Sequence, residues 1–169
     1  RDRNKDGQEE MLIEGIASDR SEDSDGEVLE PTGYELDYFK KFGLLNWQHR
    51  ASVDPSSIVG EPIDAKIQDN KFYIKGRLFN NNPLAEQIYA LAKSLSDSGS
   101  TRRLGFSIEG KALERDLLNN KIIKRAKITG VAITPTPKNA NTFLDVCKGT
   151  QVEGDPDYEY DEEIDEEVK

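Results

Sequence analysis

Apolar positions along this chain fall into short runs broken by polar turns, and only one segment has sustained helical spacing. Met11-Leu12-Ile13-Glu14-Gly15-Ile16 is the first apolar run, and the acidic, serine-rich stretch from Ser18 to Glu27 follows it. The pair reads as a strand entering a long loop. Between Thr32 and Lys41, the positions of Tyr34, Leu36, Tyr38 and Phe39 fit a short helix with Thr32 as its cap and Gly43 as its stop. Phe42 to Gln48 is apolar enough for a strand, and that strand delivers His49 at its end. Ile58–Gly60, Ile63–Gln68 and Lys71–Phe79 have β-type composition, with Gln68-Asp69-Asn70 supplying a turn. The clearest helix follows: Asn82 caps it, Pro83 opens its first turn, and Leu84, Ile88, Leu91, Ala92 and Leu95 recur at helical spacing before Gly99. Leu104–Glu114 and Ile122–Thr134 form a long hairpin centred on Asn119-Asn120, because adjacent Asn residues tolerate the positive φ of tight turns. The sum is an α+β fold, with a mostly antiparallel, barrel-like sheet and a few flanking helices.

Charge changes this picture at one end only. Residues 151–169 carry ten Asp or Glu against Lys169 alone, a net −9 out of the chain's −10, leaving residues 1–150 near −1. Such a segment cannot bury enough apolar surface to fold by itself. The expected organisation is a flexible N-terminus over 1–10, one globular domain over 11–148, and a disordered acidic tail, linker or propeptide over 149–169. Arg102-Arg103 and the lysines from Lys121 to Lys127 are the only short basic clusters, too little for a nucleic-acid surface. No apolar run approaches the roughly 20 residues that span a bilayer, and no signal-peptide pattern opens the chain, so a soluble cytosolic protein is expected. One His and one Cys leave no set of ligands for a His/Cys zinc site, and no cofactor is expected. Cys147 has no His near it in sequence and reads as a buried small apolar residue.

Two segments carry candidate chemistry. In a strand over Leu104-Gly105-Phe106-Ser107-Ile108-Glu109, alternation puts Ser107 on the polar face with Gly105 and Glu109. Gly105 leaves room for a substrate or another backbone beside the hydroxyl. His49 is the chain's one imidazole, at a strand-to-loop boundary, and histidine is the usual general base for a serine. Taken alone, each reads as easily as an ordinary strand serine and a structural histidine.

Three blocks taken together carry more. Leu44-Leu45-Asn46-Trp47-Gln48-His49-Arg50-Ala51-Ser52-Val53-Asp54-Pro55, then Arg103-Leu104-Gly105-Phe106-Ser107, then Thr129-Gly130-Val131-Ala132-Ile133-Thr134-Pro135 with Pro137, Asn139 and Ala140, resemble in order and spacing the prohead (capsid maturation) proteases of tailed phages. These are related in fold to the herpesvirus assemblins, and the resemblance covers about residues 11–146. It implies a serine endopeptidase that cleaves scaffold and major capsid proteins, and itself, inside the assembling prohead in the host cytoplasm. It matches His49 to the general base and Ser107 to the nucleophile, and places oxyanion-hole N–H groups around Lys138, Asn139, Ala140 and Asn141. Self-association is a further expectation from the assemblin likeness.

The family's third residue, which orients the histidine, is not identified by the sequence. A hairpin without a bulge sets Ser107 opposite Ala132, flanked by Gly130 and Thr134, and none of these is an acid. Asp54, Glu109 and Thr134 are the candidates, with a solvated-charge reading favoured for both acids. Two other functions therefore stay open: a catalytically degenerate protease-fold protein of capsid assembly or scaffold binding, and an unrelated β-rich module that uses the acidic tail for a basic partner.

Overall fold

The computed structural model describes residue 7 and residues 9–147. The segment 149–169 lies outside the described residues, as does most of 1–10. Residues Met11–Val146 form one compact unit.

The chain runs β1 (Met11–Ser18), β2 (Val28–Leu29), β3 (Tyr34–Glu35), α1 (Asp37–Phe42), β4 (Leu45–Trp47), β5 (Ile58–Gln68), β6 (Lys71–Leu78), α2 (Pro83–Asp97), β7 (Gly105–Arg115), β8 (Ile122–Thr134) and β9 (Phe143–Val146). All nine strands belong to one sheet, with the path β2-β8-β4-β5-β6-β1-β9 and with β3 and β7 also paired to β8. β8 pairs antiparallel with β7, and parallel with β2, β3 and β4. The parallel β4–β8 pairing brings the ends of both strands, and the start of antiparallel β7, to the same end of the sheet.

The α+β class holds, but the sheet is not closed into a barrel. Its far strand β9 is only four residues long, and the one backbone bond from it toward the β7 end runs from Leu144 N–H to Leu104 O at 2.9 Å. A single bond is not a ladder. β5 runs unbroken where two strands were expected: Pro62 has no N–H to donate, and the pairing absorbs it as a register shift between Pro62 and Asp64. The turn to β6 is as the residues require, with Asp69 and Asn70 at φ 54° and 58°.

Two turns depart from expectation. Thr32 is not a helix cap. It sits in a single 3-10 turn, Pro31–Gly33, after which Tyr34 and Glu35 join β8, and α1 starts only at Asp37 with no side-chain cap. Tyr34 is drawn into the sheet because its ring stacks edge-on against Phe72 at 5.7 Å and its hydroxyl bonds Ser18 Oγ at 2.7 Å. Nor do Asn119-Asn120 make a tight turn, since neither has positive φ. The β7–β8 connection spans residues 116–121 and is organised by Asp116, whose Oδ1 accepts from the N–H groups of Leu118 and Asn119. A carboxylate satisfying two amides outcompetes the Asn-Asn turn.

The helices serve the core as their sequences indicate. Asn82 Oδ1 accepts from Ala85 N–H at 3.0 Å, and α2 buries Ala85, Ile88 and Ala92 while Leu91 stays exposed. Gly43 ends α1 with its N–H on Phe39 O. Phe39 is fully buried and stacks edge-on against Phe72, 6.1 Å between centroids. Phe39→Ala should destabilise the protein by about 3–5 kcal/mol, read as a lower denaturation midpoint at unchanged m-value.

Candidate active site

The sheet register sets the positions. Asn46 on β4 pairs with Ala132 on β8, and Ala132 pairs on its other side with Ser107 on β7. One step along the same face, Glu109 pairs with Gly130. Paired residues on neighbouring strands point to the same face, and so do residues two apart on one strand. Asn46, Ala132, Ser107, Gly130 and Glu109 therefore share one face. The hairpin holds the simple register through this region, and its first bulge comes just past Glu109.

His49 follows β4 in an unusual backbone conformation. Both Gln48 and His49 have left-handed φ, at 60° and 59°. For residues with side chains this costs on the order of 1 kcal/mol each, and it must be held by neighbours. The holding bonds are present: Gln48 N–H donates to Ile133 O at 3.1 Å, Thr134 Oγ1 donates to Gln48 Oε1 at 2.7 Å, and Arg50 N–H donates to Asn46 Oδ1 at 3.1 Å. The twist turns the imidazole back over the sheet.

There, His49 Nε2 lies 3.0 Å from Ser107 Oγ, and Nδ1 lies 2.7 Å from Glu109 Oε2. The three side chains form a line of hydrogen bonds from hydroxyl through imidazole to carboxylate. The histidine and glutamate side chains are 42% and 27% exposed, so the arrangement is open to solvent on one side. Glu109 is further held by Asn46, whose Nδ2 donates to Oε1 at 3.0 Å and Oε2 at 3.1 Å.

The other sequence candidates lie elsewhere. Asp54 caps the 3-10 turn Pro55–Ser57, accepting from Ser56 Oγ at 2.6 Å and Ser56 N–H at 3.0 Å. Those hydrogen bonds hold its carboxyl below the usual range. Thr134 is buried against Gln48 and touches the site only through the histidine's neighbour. The favoured reading of Glu109 as a solvated strand charge does not fit its contacts. The simple hairpin register already sets Gly130 opposite Glu109, but sequence reasoning misses Asn46 as its hydrogen-bond partner. A polar amide inside Leu44-Leu45-Asn46-Trp47 is the available signal, and Asn46 is 1% exposed.

Gly105 is covered by the chain itself. A Cβ there would lie 2.5 Å from Pro137 Cγ and 2.8 Å from Thr142 Oγ1, so the glycine lets the loop after β8 settle beside Ser107. A cavity of about 150 Å3 adjoins Ser107, with Leu29, Phe106, Lys138 and Asn139 in its wall. Asn141 N–H is used by Asn139 Oδ1, whereas the N–H groups of Lys138, Asn139 and Ala140 have no acceptor among the described residues. This loop is clasped by the one after β1. Asn139 and Asn141 both donate to Asp19, Lys138 Nζ bonds Asp25 at 2.6 Å, and Ser24 N–H donates to Lys138 O. Cys147 is buried, as its small apolar character suggested.

The fold is similar to that of a herpesvirus protease. The KSHV protease, solved in complex with a hexapeptide phosphonate inhibitor, superposes with a TM-score of 0.51 at 12% identity, over 80% of this chain and 64% of that one. This chain thus spans under two thirds of that protease's length. The varicella-zoster virus protease matches with a TM-score of 0.44 at 15% identity, over 86% of this chain and 68% of that one. The bacteriophage T4 capsid assembly protease matches with a TM-score of 0.40 at 17% identity, over 80% of each chain. No family model and no curated protein matches the sequence. The assemblin-like fold expected from the three sequence blocks is the fold found.

This geometry makes two predictions. A Cβ on residue 130 would lie 2.6 Å from Glu109 Oε1, the movable end of a side chain. Gly130→Ala should therefore fold, with stability changed by about 1 kcal/mol or less, but push the carboxylate off His49. The chain's one histidine gives an unambiguous imidazole spectrum, and its Nδ1-bound proton should lose its downfield NMR position in this variant.

The second concerns acid. Burial pushes the Asp19 carboxyl up, but the hydrogen bonds from Asn139, Ser21 and Asn141 outweigh it and leave the group below its ordinary value. The Lys138 hydrogen bond and charge lower Asp25 likewise. A depressed carboxylate stabilises the folded state above its unfolded pKa, about 3.9, and this contribution is lost as pH falls through the lower folded value. The clasp should therefore survive mild acid and release below the ordinary carboxylate range, seen as shifts of the Ser24 and Asn141 amide resonances.

Proposed function

We propose that this chain is a serine endopeptidase of phage capsid maturation, with Ser107 as nucleophile, His49 as general base and Glu109 as the residue that orients the base. The observation that carries this reading is the unbroken line Ser107 Oγ to His49 to Glu109, at 3.0 and 2.7 Å. The protease fold and the sequence blocks around both residues support it.

The chemistry follows from the positions. With Nδ1–H donated to Glu109, the neutral imidazole presents the lone pair of Nε2 to the Ser107 hydroxyl. As Oγ bonds to the scissile carbonyl carbon, its proton passes to Nε2 and the carbonyl π pair moves to oxygen. The resulting imidazolium faces the Glu109 carboxylate, which stabilises it without taking the proton. The new oxyanion needs donors, and the N–H groups of Lys138, Asn139 and Ala140, which have no acceptor among the described residues and lie on the loop beside Ser107, are the ones we assign. Collapse of the tetrahedral intermediate breaks the C–N bond as Nε2 returns the proton to the leaving amine. Water then attacks the acyl-Ser107 ester, with the same imidazole as base, and restores the hydroxyl.

The substrate assignment rests on the sequence resemblance: scaffold and major capsid proteins within the assembling prohead, and the chain itself. No helix among the described residues is long and apolar enough to cross a membrane.

Incubation with procapsid scaffold and capsid proteins, followed by intact-mass spectrometry of all chains, tests the proposal. Wild type should trim substrate and itself, and Ser107→Ala and His49→Ala should not. Glu109→Gln should lose about 10³- to 10⁴-fold in kcat by favouring the wrong imidazole tautomer. Equal cleavage by wild type and all three variants would overturn the assignment.

A further inference from the structure

Resting on that reading, we infer that Asn46 is a positioning residue: it fixes the Glu109 carboxylate in the plane where it can serve His49, and ties that carboxylate to the histidine's own loop. Three observations point there. Asn46 is 1% exposed, in a strand whose neighbours are apolar, so its polarity needs a reason. Its Nδ2 contacts both Glu109 oxygens, at 3.0 and 3.1 Å, while its Oδ1 accepts from Arg50 N–H at 3.1 Å. This settles the amide's orientation, because the reverse would set an oxygen against a carboxylate and an NH2 against an N–H. One side chain thus holds the third member of the line and the residue after the second.

Nothing else among the described residues does this for Glu109. Its neighbour across the pair is Gly130, which gives clearance but no contact. Among the described residues no cation is paired with Glu109 apart from His49 when protonated. Without the amide, the carboxylate would rest on a single bond to an imidazole that is itself 42% exposed. Asn46 is buried, makes its hydrogen bonds to Glu109 and Arg50 and none to Ser107 among the described residues, and so acts through Glu109 and His49.

Two substitutions decide the matter, each read by kinetics and by the NMR signal of the single histidine. Asn46→Leu keeps the shape and removes the donor. It should lower kcat about 100-fold, the scale of a misplaced catalytic group, with KM within about twofold, and the downfield Nδ1-bound proton should broaden or vanish. Asn46→Asp is isosteric and decides the case if the leucine variant does not fold. Two adjoining carboxylates share one proton, and in that form the introduced carboxylic acid donates to Glu109 as the amide does. Activity of Asn46→Asp relative to wild type should therefore fall as pH rises and the shared proton is lost, which a merely structural role would not produce.

An unchanged kcat, an unchanged imidazole spectrum and a wild-type pH profile in the variants would overturn the role of Asn46. If wild type itself shows no cleavage that depends on Ser107, the functional reading fails instead, and the NMR comparison still decides whether Asn46 holds the carboxylate.

Discussion

An imidazole carried at the end of β4 has to meet a hydroxyl and a carboxylate carried on β7, and β8 lies between the two strands. The ring can make that crossing only if β8 is low where it passes. Ala132 offers one methyl group and Gly130 offers none, so the span from His49 to Ser107 and Glu109 is open. A larger side chain at either position would fill the space the ring and the carboxylate occupy. The sheet is thus fitted to the site from beneath, and the bulge just past Glu109 leaves the register undisturbed where it matters.

That geometry explains both what the sequence reveals and what it hides. Strand alternation places Ser107 and Glu109 on one face, and the hairpin register sets Ser107 against Ala132, as found. The helix over Pro83–Asp97 is legible from its cap and spacing because it is local. The acid is not, since the strand opposite Ser107 is the natural place to seek it. The positions there are small in order to let the histidine across, and the acid stands on the serine's own strand. Glu109 looks like a surface charge because nothing local marks its partner, which is 60 residues away in sequence. Barrel closure is overread for a related reason: the short strands β2, β3 and β9 leave no mark in the apolar pattern, and whether the last of them is long enough to pair twice is a tertiary outcome.

The turns show the same competition between local preference and longer-range bonds. Asn119-Asn120 has the residues of a tight turn, yet Asp116 takes two amides and widens it. Thr32 has the residue type of a cap, yet Tyr34 is drawn to Phe72 and moves the helix start to Asp37. At Gln48 and His49 the tertiary bonds prevail against backbone preference itself. Here Ile133, Thr134 and Asn46 together hold a conformation that neither residue favours alone.

The site draws its parts from β4, from the near end of β7, and from β8 with the loop that leaves it. During synthesis the histidine emerges early, but β8, which seats it, and the loop beside Ser107 emerge only after residue 120. A partly made chain can therefore present the imidazole and later the serine, yet it has no strand to bring them together. The three side chains therefore come together only once the last large strand has paired with four others.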